Sequence, residues 1–437
     1  MSILIKQSLI LTMEEENGQL KPPFRGDILV EGDKISRIAA NLPAEESASA
    51  QVIKGRHLLA MPGLINAHNH AAMTLFRGFG DDMALMDWLN NKIWPAEEKM
   101  TATDILLGTR LALLEMIKSG TAAFADMYGF CEQVVEAVAE AGCRASICQG
   151  IVAFTPEMGA QKLEQGLDFA LHYRGACEGR ITTMLGPHAP YTCSAELLTQ
   201  IAQAGREHKL PLHIHVLETK DEVAQIAARD GCRPVELLER CYFFRDNKVL
   251  AAHGVWLNEE EITCLSAHDV SVAHCPASNL KLASGLAPVT ELMAAGVNVA
   301  VGTDSACSNN NLDMFEEIKL AALAAKVREL DPLALPAATA LEMATVNGAK
   351  ALGLAGCGIL AAGNEADIIL INIDRPHFTP KHDLISHLVY AASGSDVDTV
   401  MVAGKLLMQK RVLQTLDEER IIYEAEHIAR DLCYNRG

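Results

Sequence analysis

Two histidines separated by one residue, His68 and His70, close an apolar run early in the chain. On a β-strand, residues i and i+2 point to the same face, so both imidazoles would reach one site. Neutral imidazole is the commonest metal ligand among side chains. His215, His253 and Asp304 lie near the ends of three later apolar runs. Three or four nitrogen and oxygen ligands without a thiolate are typical of a catalytic metal with an open position.

The elements that would carry these residues form a regular alternation. Eight short apolar runs span 58–70, 121–127, 144–151, 180–188, 210–218, 248–254, 270–276 and 297–304. Helical patterns separate them, for example over 104–119. Eight strand–helix alternations in about 250 residues predict a parallel (β/α)8 TIM barrel, whose active site lies at the carboxyl ends of its strands. The candidate ligands fall at those ends.

Both ends of the chain differ from this central part. Residues 1–57 show short strands with turns, and strand patterns return at 366–372 and 399–404. The α/β fold that we predict is therefore a barrel with a small β-sandwich domain built from both chain ends. We assign 1–57 and 363–437 to the small domain and 58–362 to the barrel. Further helices are predicted over 312–330, 333–352 and 416–435.

Composition narrows the classes of function. The net charge of −19 argues against nucleic-acid binding, which requires a basic surface. No apolar stretch reaches the ~18–20 residues of a membrane span. The twelve cysteines form no C-x-x-C pair, and several, such as Cys148 and Cys264, lie in apolar runs. Without a secretory segment, reduced core cysteines indicate a cytoplasmic protein. We expect a homo-oligomer with no nucleic-acid or membrane partner.

Motifs spread along the chain resemble those of a known family. Residues 62–70 read PGLINAHNH, 186–191 read GPHAPY, and 302–310 read GTDSACSNN. Together with 86–97, 215–218, 252–254 and 279–282, they are similar to the 5'-methylthioadenosine/S-adenosylhomocysteine deaminases of the amidohydrolase superfamily. The resemblance covers nearly the whole chain.

The resemblance implies a ligand set for the metal. His68, His70, His215 and Asp304 would hold one divalent ion, which we expect to be Zn²⁺. Binuclear relatives bridge two ions through a carbamylated lysine at the end of the fourth strand. Here that strand, 181–188, contains no lysine, which favours a single ion. Such an ion lowers the pKa of bound water to around 7.

The resemblance also assigns catalytic roles. Glu218 would take a proton from the bound water and deliver it to a ring nitrogen. His253 would orient the attacking water, and Asp304 would pass a proton to the leaving amine. The product is the inosine analogue plus ammonia. Taken alone, Glu218 is equally compatible with a surface glutamate and His253 with a core histidine.

Substrate contacts follow by the same comparison. Glu97 would bind the ribose hydroxyls, although a solvated helix glutamate is the alternative because Glu98 is adjacent. His188 would contact substrate, and Trp88 would line the pocket or simply fill the core. Gln149 stands where relatives that handle S-adenosylhomocysteine carry an arginine, and a second arginine aligns loosely near Lys162. Because glutamine supplies no charged bidentate contact, we expect methylthioadenosine or adenosine to be preferred.

Two other interpretations remain open from the sequence. The barrel and the metal motif are shared by guanine, pterin and cytosine deaminases and by triazine hydrolases, and a fold does not determine the substrate. A free base lacks the ribose that Glu97 would bind, so this residue discriminates. A non-catalytic scaffold is a remote alternative, because such a protein should have lost ligands that are present here.

Overall fold

The computed structural model describes residues 2–43, 50–83 and 85–436. Part of the predicted N-terminal segment, 44–49, lies outside the described residues. The strands are β1 (Ser2–Ile10), β2 (Glu15–Glu16), β3 (Gln19–Leu20), β4 (Phe24–Glu31), β5 (Lys34–Ala39), β6 (Gln51–Lys54), β7 (Leu58–Pro62), β8 (Leu64–Asn66), β9 (Thr121–Tyr128), β10 (Arg144–Ile151), β11 (Ile181–Thr183), β12 (Gly186–Pro187), β13 (Leu212–Val216), β14 (Val249–His253), β15 (Ser271–His274), β16 (Asn298–Val301), β17 (Ile368–Asn372), β18 (Val397–Val402), β19 (Lys405–Gln409) and β20 (Val412–Leu413).

Helices fill the intervals between the barrel strands and extend beyond them. They are α1 (Leu85–Trp88), α2 (Trp94–Glu97), α3 (Ala102–Lys118), α4 (Cys131–Ala141), α5 (Pro156–Tyr173), α6 (Ala195–His208), α7 (Lys220–Asp230), α8 (Pro234–Arg240), α9 (Glu259–Ala267), α10 (Pro276–Lys281), α11 (Val289–Ala294), α12 (Met314–Glu329), α13 (Ala337–Met343), α14 (Val346–Leu352), α15 (Leu384–Tyr390) and α16 (Glu418–Arg430).

The eight predicted barrel strands are present as two parallel ladders. One runs β8–β9–β10–β11, with β12 also beside β10, and the other runs β13–β14–β15–β16. Backbone contacts join the ladders at both seams. Leu185 bridges Leu212 in parallel fashion, and the Ala67 N–H donates to the Val301 carbonyl at 2.9 Å. The strands therefore close into the predicted (β/α)8 barrel.

The run predicted as the first barrel strand, 58–70, is divided at Gly63. Strand β7 pairs with β1 and β17 in the outer sheet, whereas β8 begins the barrel at Leu64. A Cβ at Gly63 would lie 2.3 Å from the Ala122 Cβ, so only glycine fits this crossing. The Pro62–Gly63 pair is the sequence signal of this change of sheet, although the residues on both sides of it are apolar. The domain boundaries at 57/58 and 362/363 remain predictions.

The two chain ends meet in one mixed sheet. Its order is β20–β19–β18–β17–β7–β1–β4–β5, with β6 beside β1. The sheet curves so that its β5 edge approaches the segment ahead of β17, where Lys34 forms an antiparallel bridge with Glu365. One face encloses an apolar core that includes Ile3, Ile28 and Ile368. A sheet folded on itself around a core is consistent with the predicted sandwich built from both ends.

The helices largely follow their sequence signals. Helix α3 begins with a capping box between Thr101 and Asp104, which satisfies backbone N–H groups at its start. Helix α12 matches the predicted 312–330. The predicted helix 333–352 is instead two helices, because Thr345 leaves helical geometry at φ −131° and ψ −90°. Helix α16 packs on α3. Among the described residues, no helix is long and apolar enough to cross a membrane.

Candidate metal centre and active site

A cavity of about 300 Å³ opens at the carboxyl ends of the barrel strands. This is the location that the barrel prediction gives for the active site. Its lining includes most of the candidate residues proposed from the sequence, namely His70, Trp88, Glu97, His188, His215, Glu218, His253 and Asp304. Hence residues from distant parts of the sequence are brought to one site.

Backbone contacts orient two of the candidate ligands. The ring Nδ1 of His70 lies 2.6 Å from the Met127 carbonyl, and that of His215 lies 2.6 Å from the His188 carbonyl. A carbonyl only accepts, so each Nδ1 carries the proton and each Nε2 keeps a lone pair. The two Nε2 atoms lie 3.3 Å apart. Two lone pairs that face each other at this distance repel, and a cation between them would remove that repulsion.

The other two candidate ligands complete the same centre. Asp304 Oδ1 lies 3.4 Å from His68 Nε2 and 3.3 Å from His70 Nε2. His68 Nε2 is fully buried without a hydrogen-bond partner among the described residues. Since buried polar atoms are normally satisfied, this orphaned atom fits a bound ion. His68, His70 and Asp304 thus form a group that could hold a metal ion, and His215 lies beside it.

Further residues hydrogen-bond to two of these candidate ligands and fix their orientation. His213 Nε2 lies 2.9 Å from His68 Nδ1, an arrangement that leaves His68 Nε2 free for a metal. The hydroxyls of Ser278 and Ser308 donate to Asp304 Oδ2 at 2.7 and 2.6 Å. These contacts saturate Oδ2 and leave Oδ1 directed at the histidines.

Glu218 and His253 lie side by side next to the metal centre. Glu218 Oε2 is 3.9 Å from His253 Nε2, and His253 Nδ1 lies 3.0 Å from the Asn279 side-chain oxygen. The Glu218 N–H donates to Glu222 Oε2 at 3.1 Å. Burial raises the pKa of Glu218 above its ordinary value. A carboxyl group with a raised pKa in this setting is suited to hold and release a proton.

Several strand ends at the site adopt left-handed backbone geometry. Leu217, His253 and Asp304 have φ values of 54°, 75° and 56°. Residues other than glycine rarely adopt this region, and such strain tends to cluster at functional sites. The turns direct the side chains that follow β13, β14 and β16 into the cavity.

A third carboxylate in the cavity, after Glu218 and Asp304, belongs to Glu97 at the end of α2. The Tyr128 hydroxyl donates to Glu97 Oε1, and burial raises the pKa of Glu97. Trp88 is buried and lines the same cavity. His188 also lines the cavity, with its Nδ1 3.0 Å from the Thr192 hydroxyl. The structure therefore places Glu97 inside the cavity rather than on a solvated helix face.

The fold and this constellation agree with comparisons to known proteins. A model of the amidohydrolase family matches residues 59–407. The chain belongs to the amidohydrolase family. It is 49% identical to the 5-methylthioadenosine/S-adenosylhomocysteine deaminase of Pelotomaculum thermopropionicum, over 97% of each chain. It is 48% identical to the 5'-deoxyadenosine deaminase of Methanosarcina mazei, over 98% of each. A zinc-bound adenosine deaminase structure from Xanthomonas campestris superposes with a TM-score of 0.90 at 33% identity, covering 98% of each chain.

The structure places Gln149, a predicted substrate contact, outside the cavity of this amidohydrolase. Its amide Nε2 lies 3.4 Å from the side-chain oxygen of Gln165 in α5. Successive residues on β10 face opposite sides, and Gly150 is the residue that reaches the cavity. The 144–151 run lacks a polar alternation, so its sequence gives no sign of which face Gln149 takes. Lys162, in the middle of α5, does not line the cavity either.

Sequence reasoning missed several residues of the site. His213 had a usable signal, because His213 and His215 repeat the spacing of His68 and His70 on a strand. Tyr128, Ser278 and Ser308 carry no comparable pattern. They act through distances set by the turns after their strands, which a single sequence does not reveal.

Proposed function

We propose that this amidohydrolase is a hydrolytic deaminase of adenine nucleosides. It converts 5'-methylthioadenosine and related 5'-substituted adenosines to the inosine analogue and ammonia. The observation that carries this proposal is the presence, in one cavity, of Glu218 beside the proposed ligands His70, His215 and Asp304, and of the additional carboxylate of Glu97. The deaminase names of relatives near 50% identity support the choice of substrate.

A divalent ion, which we propose to be Zn²⁺, would be held by His68, His70, His215 and Asp304. When bound, such an ion supplies a water molecule whose pKa is lowered to near neutrality. The Ser278 and Ser308 hydroxyls hold Asp304 so that Oδ1 faces this position. The chain's own contribution is to fix the ligand directions before substrate arrives.

Glu218 is the proton carrier of the proposed reaction. Water attacks C6 of the adenine ring, forming a C–O bond, while Glu218 takes one proton from this water and delivers it to N1. Burial favours the protonated form of Glu218, which suits a group that must deliver a proton. His253 lies beside it, and the Asn279 side chain orients its ring. From this position His253 polarises the attacking water.

Collapse of the tetrahedral intermediate breaks the bond between C6 and the exocyclic nitrogen. The amine needs one more proton to leave as ammonia, and Asp304 is positioned to take it from the new C6 hydroxyl and pass it on. Asp304 lies at the end of β16 in a strained turn, buried and held by two serine hydroxyls. It therefore keeps its orientation while a proton moves.

Glu97 would bind the ribose. A carboxylate accepts hydrogen bonds from two vicinal hydroxyls, and the Tyr128 hydroxyl holds Glu97 through one oxygen. Trp88 would pack against the nucleoside, and His188 would contribute a polar contact. Guanine, pterin and cytosine deaminases and triazine hydrolases act on substrates without a ribose, so a buried Glu97 favours a nucleoside over these alternatives. A non-catalytic scaffold does not explain a retained ligand set with Glu218.

The remainder of the cavity suits an uncharged 5' substituent. Among the described residues, no lysine or arginine lines it, whereas Met73, Trp94, Phe130, Val152 and Leu282 do. The carboxylate of S-adenosylhomocysteine would lack a charged partner, which costs about 1.5–3 kcal/mol for a hydrogen bond to a charged group. We therefore expect S-adenosylhomocysteine to be a poorer substrate than 5'-methylthioadenosine or 5'-deoxyadenosine.

A substrate panel tests the proposal. The zinc-loaded protein is given 5'-methylthioadenosine, 5'-deoxyadenosine, adenosine, S-adenosylhomocysteine, adenine, guanine and a chlorotriazine, and kcat/KM is measured for each. Adenine nucleosides should lead, with S-adenosylhomocysteine roughly ten- to a hundredfold below 5'-methylthioadenosine. A preference for a free base or a triazine would refute the assignment.

We also propose a cytoplasmic homo-oligomer. All twelve cysteines are free, which fits a reducing compartment. Light scattering on the purified chain determines the oligomeric state, and a monomer at all concentrations would refute that part.

A further inference from the structure

A second group of metal-ligating side chains lies outside the active-site cavity, where α8 meets α9. Glu239 belongs to α8, Cys264 lies in α9, and His268 follows the last residue of α9. Their ligand atoms all lie within 4.8 Å of one another. Cys264 and His268 are four residues apart, so they share one face of the helix. None of the three lines the cavity described above.

The distances within this group match those of a tetrahedral metal site. His268 Nε2 is 3.2 Å from Glu239 Oε2, and Cys264 Sγ is 3.8 Å from the same oxygen. Zinc bonds of about 2.0–2.3 Å at tetrahedral angles require N···O and S···O separations of about 3.3 and 3.6 Å. Both observed separations agree with these values to about 0.2 Å, the tolerance expected of a metal site.

The surrounding structure already restrains two of the three side chains. Arg233, ahead of α8, binds the Glu261 carboxylate in α9 through two hydrogen bonds of 3.0 and 2.8 Å. The His268 ring stacks on Phe244 with centroids 5.8 Å apart. The Cys264 side chain packs against the core. Cys264 and His268 would therefore lose little side-chain freedom on binding an ion.

The site is also open to ions from solvent. The side chain of Glu239 is 50% exposed and that of His268 is 29% exposed. A thiolate, an imidazole and a carboxylate form a donor set that suits Zn²⁺ and similar ions rather than Mg²⁺ or Ca²⁺. A fourth position would be left for water on the exposed side.

We propose that Glu239, Cys264 and His268 form a second metal site, selective for thiophilic divalent ions such as Zn²⁺. On binding, the Cys264 thiol releases its proton to solvent, and the thiolate, the His268 Nε2 and the Glu239 carboxylate bind the ion. The ion joins α8 to α9, the helices that precede and follow β14. Strand β14 ends in His253, so the site stabilises the elements around one strand of the active site.

Cobalt titration of the zinc-loaded enzyme tests this proposal. The active-site ligands include no cysteine, so a thiolate-to-cobalt charge-transfer band reports the second site alone. The wild-type enzyme should bind one further equivalent of Co²⁺ with this band. Cys264→Ser should abolish it, whereas Cys433→Ser, at another half-buried cysteine, should leave it unchanged. His268→Asn and Glu239→Gln, which retain the thiol, should each weaken binding at least about tenfold.

Three outcomes would overturn the proposal. The wild-type enzyme shows no charge-transfer band with Co²⁺, or the band persists in Cys264→Ser. In the third outcome, His268→Asn and Glu239→Gln bind Co²⁺ as tightly as the wild type. Cys264 would then bind the ion without Glu239 and His268 as ligands.

Discussion

Replacement of Glu97 by glutamine tests whether this carboxylate recognises the ribose. The Tyr128 hydroxyl donates to Oε1 of Glu97, which leaves the other oxygen for substrate hydroxyls. Glutamine preserves the volume and one carbonyl acceptor but removes the charge. A hydrogen bond to a charged group contributes about 1.5–3 kcal/mol, so kcat/KM for adenosine should fall roughly ten- to a hundredfold.

The assay is a cycle of two enzymes and two substrates. Wild type and Glu97→Gln are compared on adenosine and on 2',3'-dideoxyadenosine, which lacks both ribose hydroxyls. If Glu97 binds those hydroxyls, the variant should lose less than about threefold on the dideoxy substrate, since interacting groups are not additive. Glu98→Gln is the matched control, because Glu98 is exposed and does not line the cavity.

Equal losses on both substrates would refute the reasoning. Glu97 would then act on the fold of α2 or on the metal centre rather than on the ribose. A loss in Glu98→Gln as large as that in Glu97→Gln would show that the effect is one of local charge.

Four further predictions concern the proton carrier, the metal centre and the stability of the fold. Glu218→Gln should lower kcat at least about a hundredfold with metal content unchanged; loss of metal in this variant would contradict the proton-carrier role. His213→Phe removes the partner of His68 and should weaken zinc affinity about ten- to a hundredfold in chelator competition, and wild-type affinity would disprove the supporting role. Arg144→Met leaves the buried Asp367 carboxylate unpaired and should destabilise the fold by about 3–5 kcal/mol in denaturant unfolding; an unchanged midpoint would rule this out. Chelation should abolish activity, and one equivalent of Zn²⁺ bound to the active site should restore it, whereas activity without metal would refute the ligand assignment.

The fold was accessible from the sequence because its signals are repeated. Eight apolar runs separated by helical patterns leave few architectures open, and the His and Asp residues at their ends indicate the active face. The division of 58–70 between two sheets is marked in the sequence only by Pro62–Gly63, since β7 and β8 are equally buried. The break between α13 and α14 depends on local geometry at Thr345, which no proline or glycine announces.

The candidate site, like the fold, was only partly predictable from the sequence. Residue type and position at strand ends indicate a group of His and Asp ligands, and the resemblance to a known family then selects His68, His70, His215 and Asp304. Gln149 was proposed by alignment, and its orientation depends on which face of β10 it occupies. Of the serines that bind Asp304, Ser278 in α10 is 26 residues away in sequence and Ser308 is 4 residues away. The pairing of β15 with β16 brings Ser278 to this carboxylate.

The central claim is that the chain replaces the amino group of an adenine nucleoside by an oxygen from water. The most direct measurement is product analysis of 5'-methylthioadenosine turned over by the zinc-loaded enzyme in isotopically labelled water. We expect 5'-methylthioinosine with one labelled oxygen on C6, and one ammonia for each molecule formed. Release of free adenine, or an inosine analogue without the label, would contradict it.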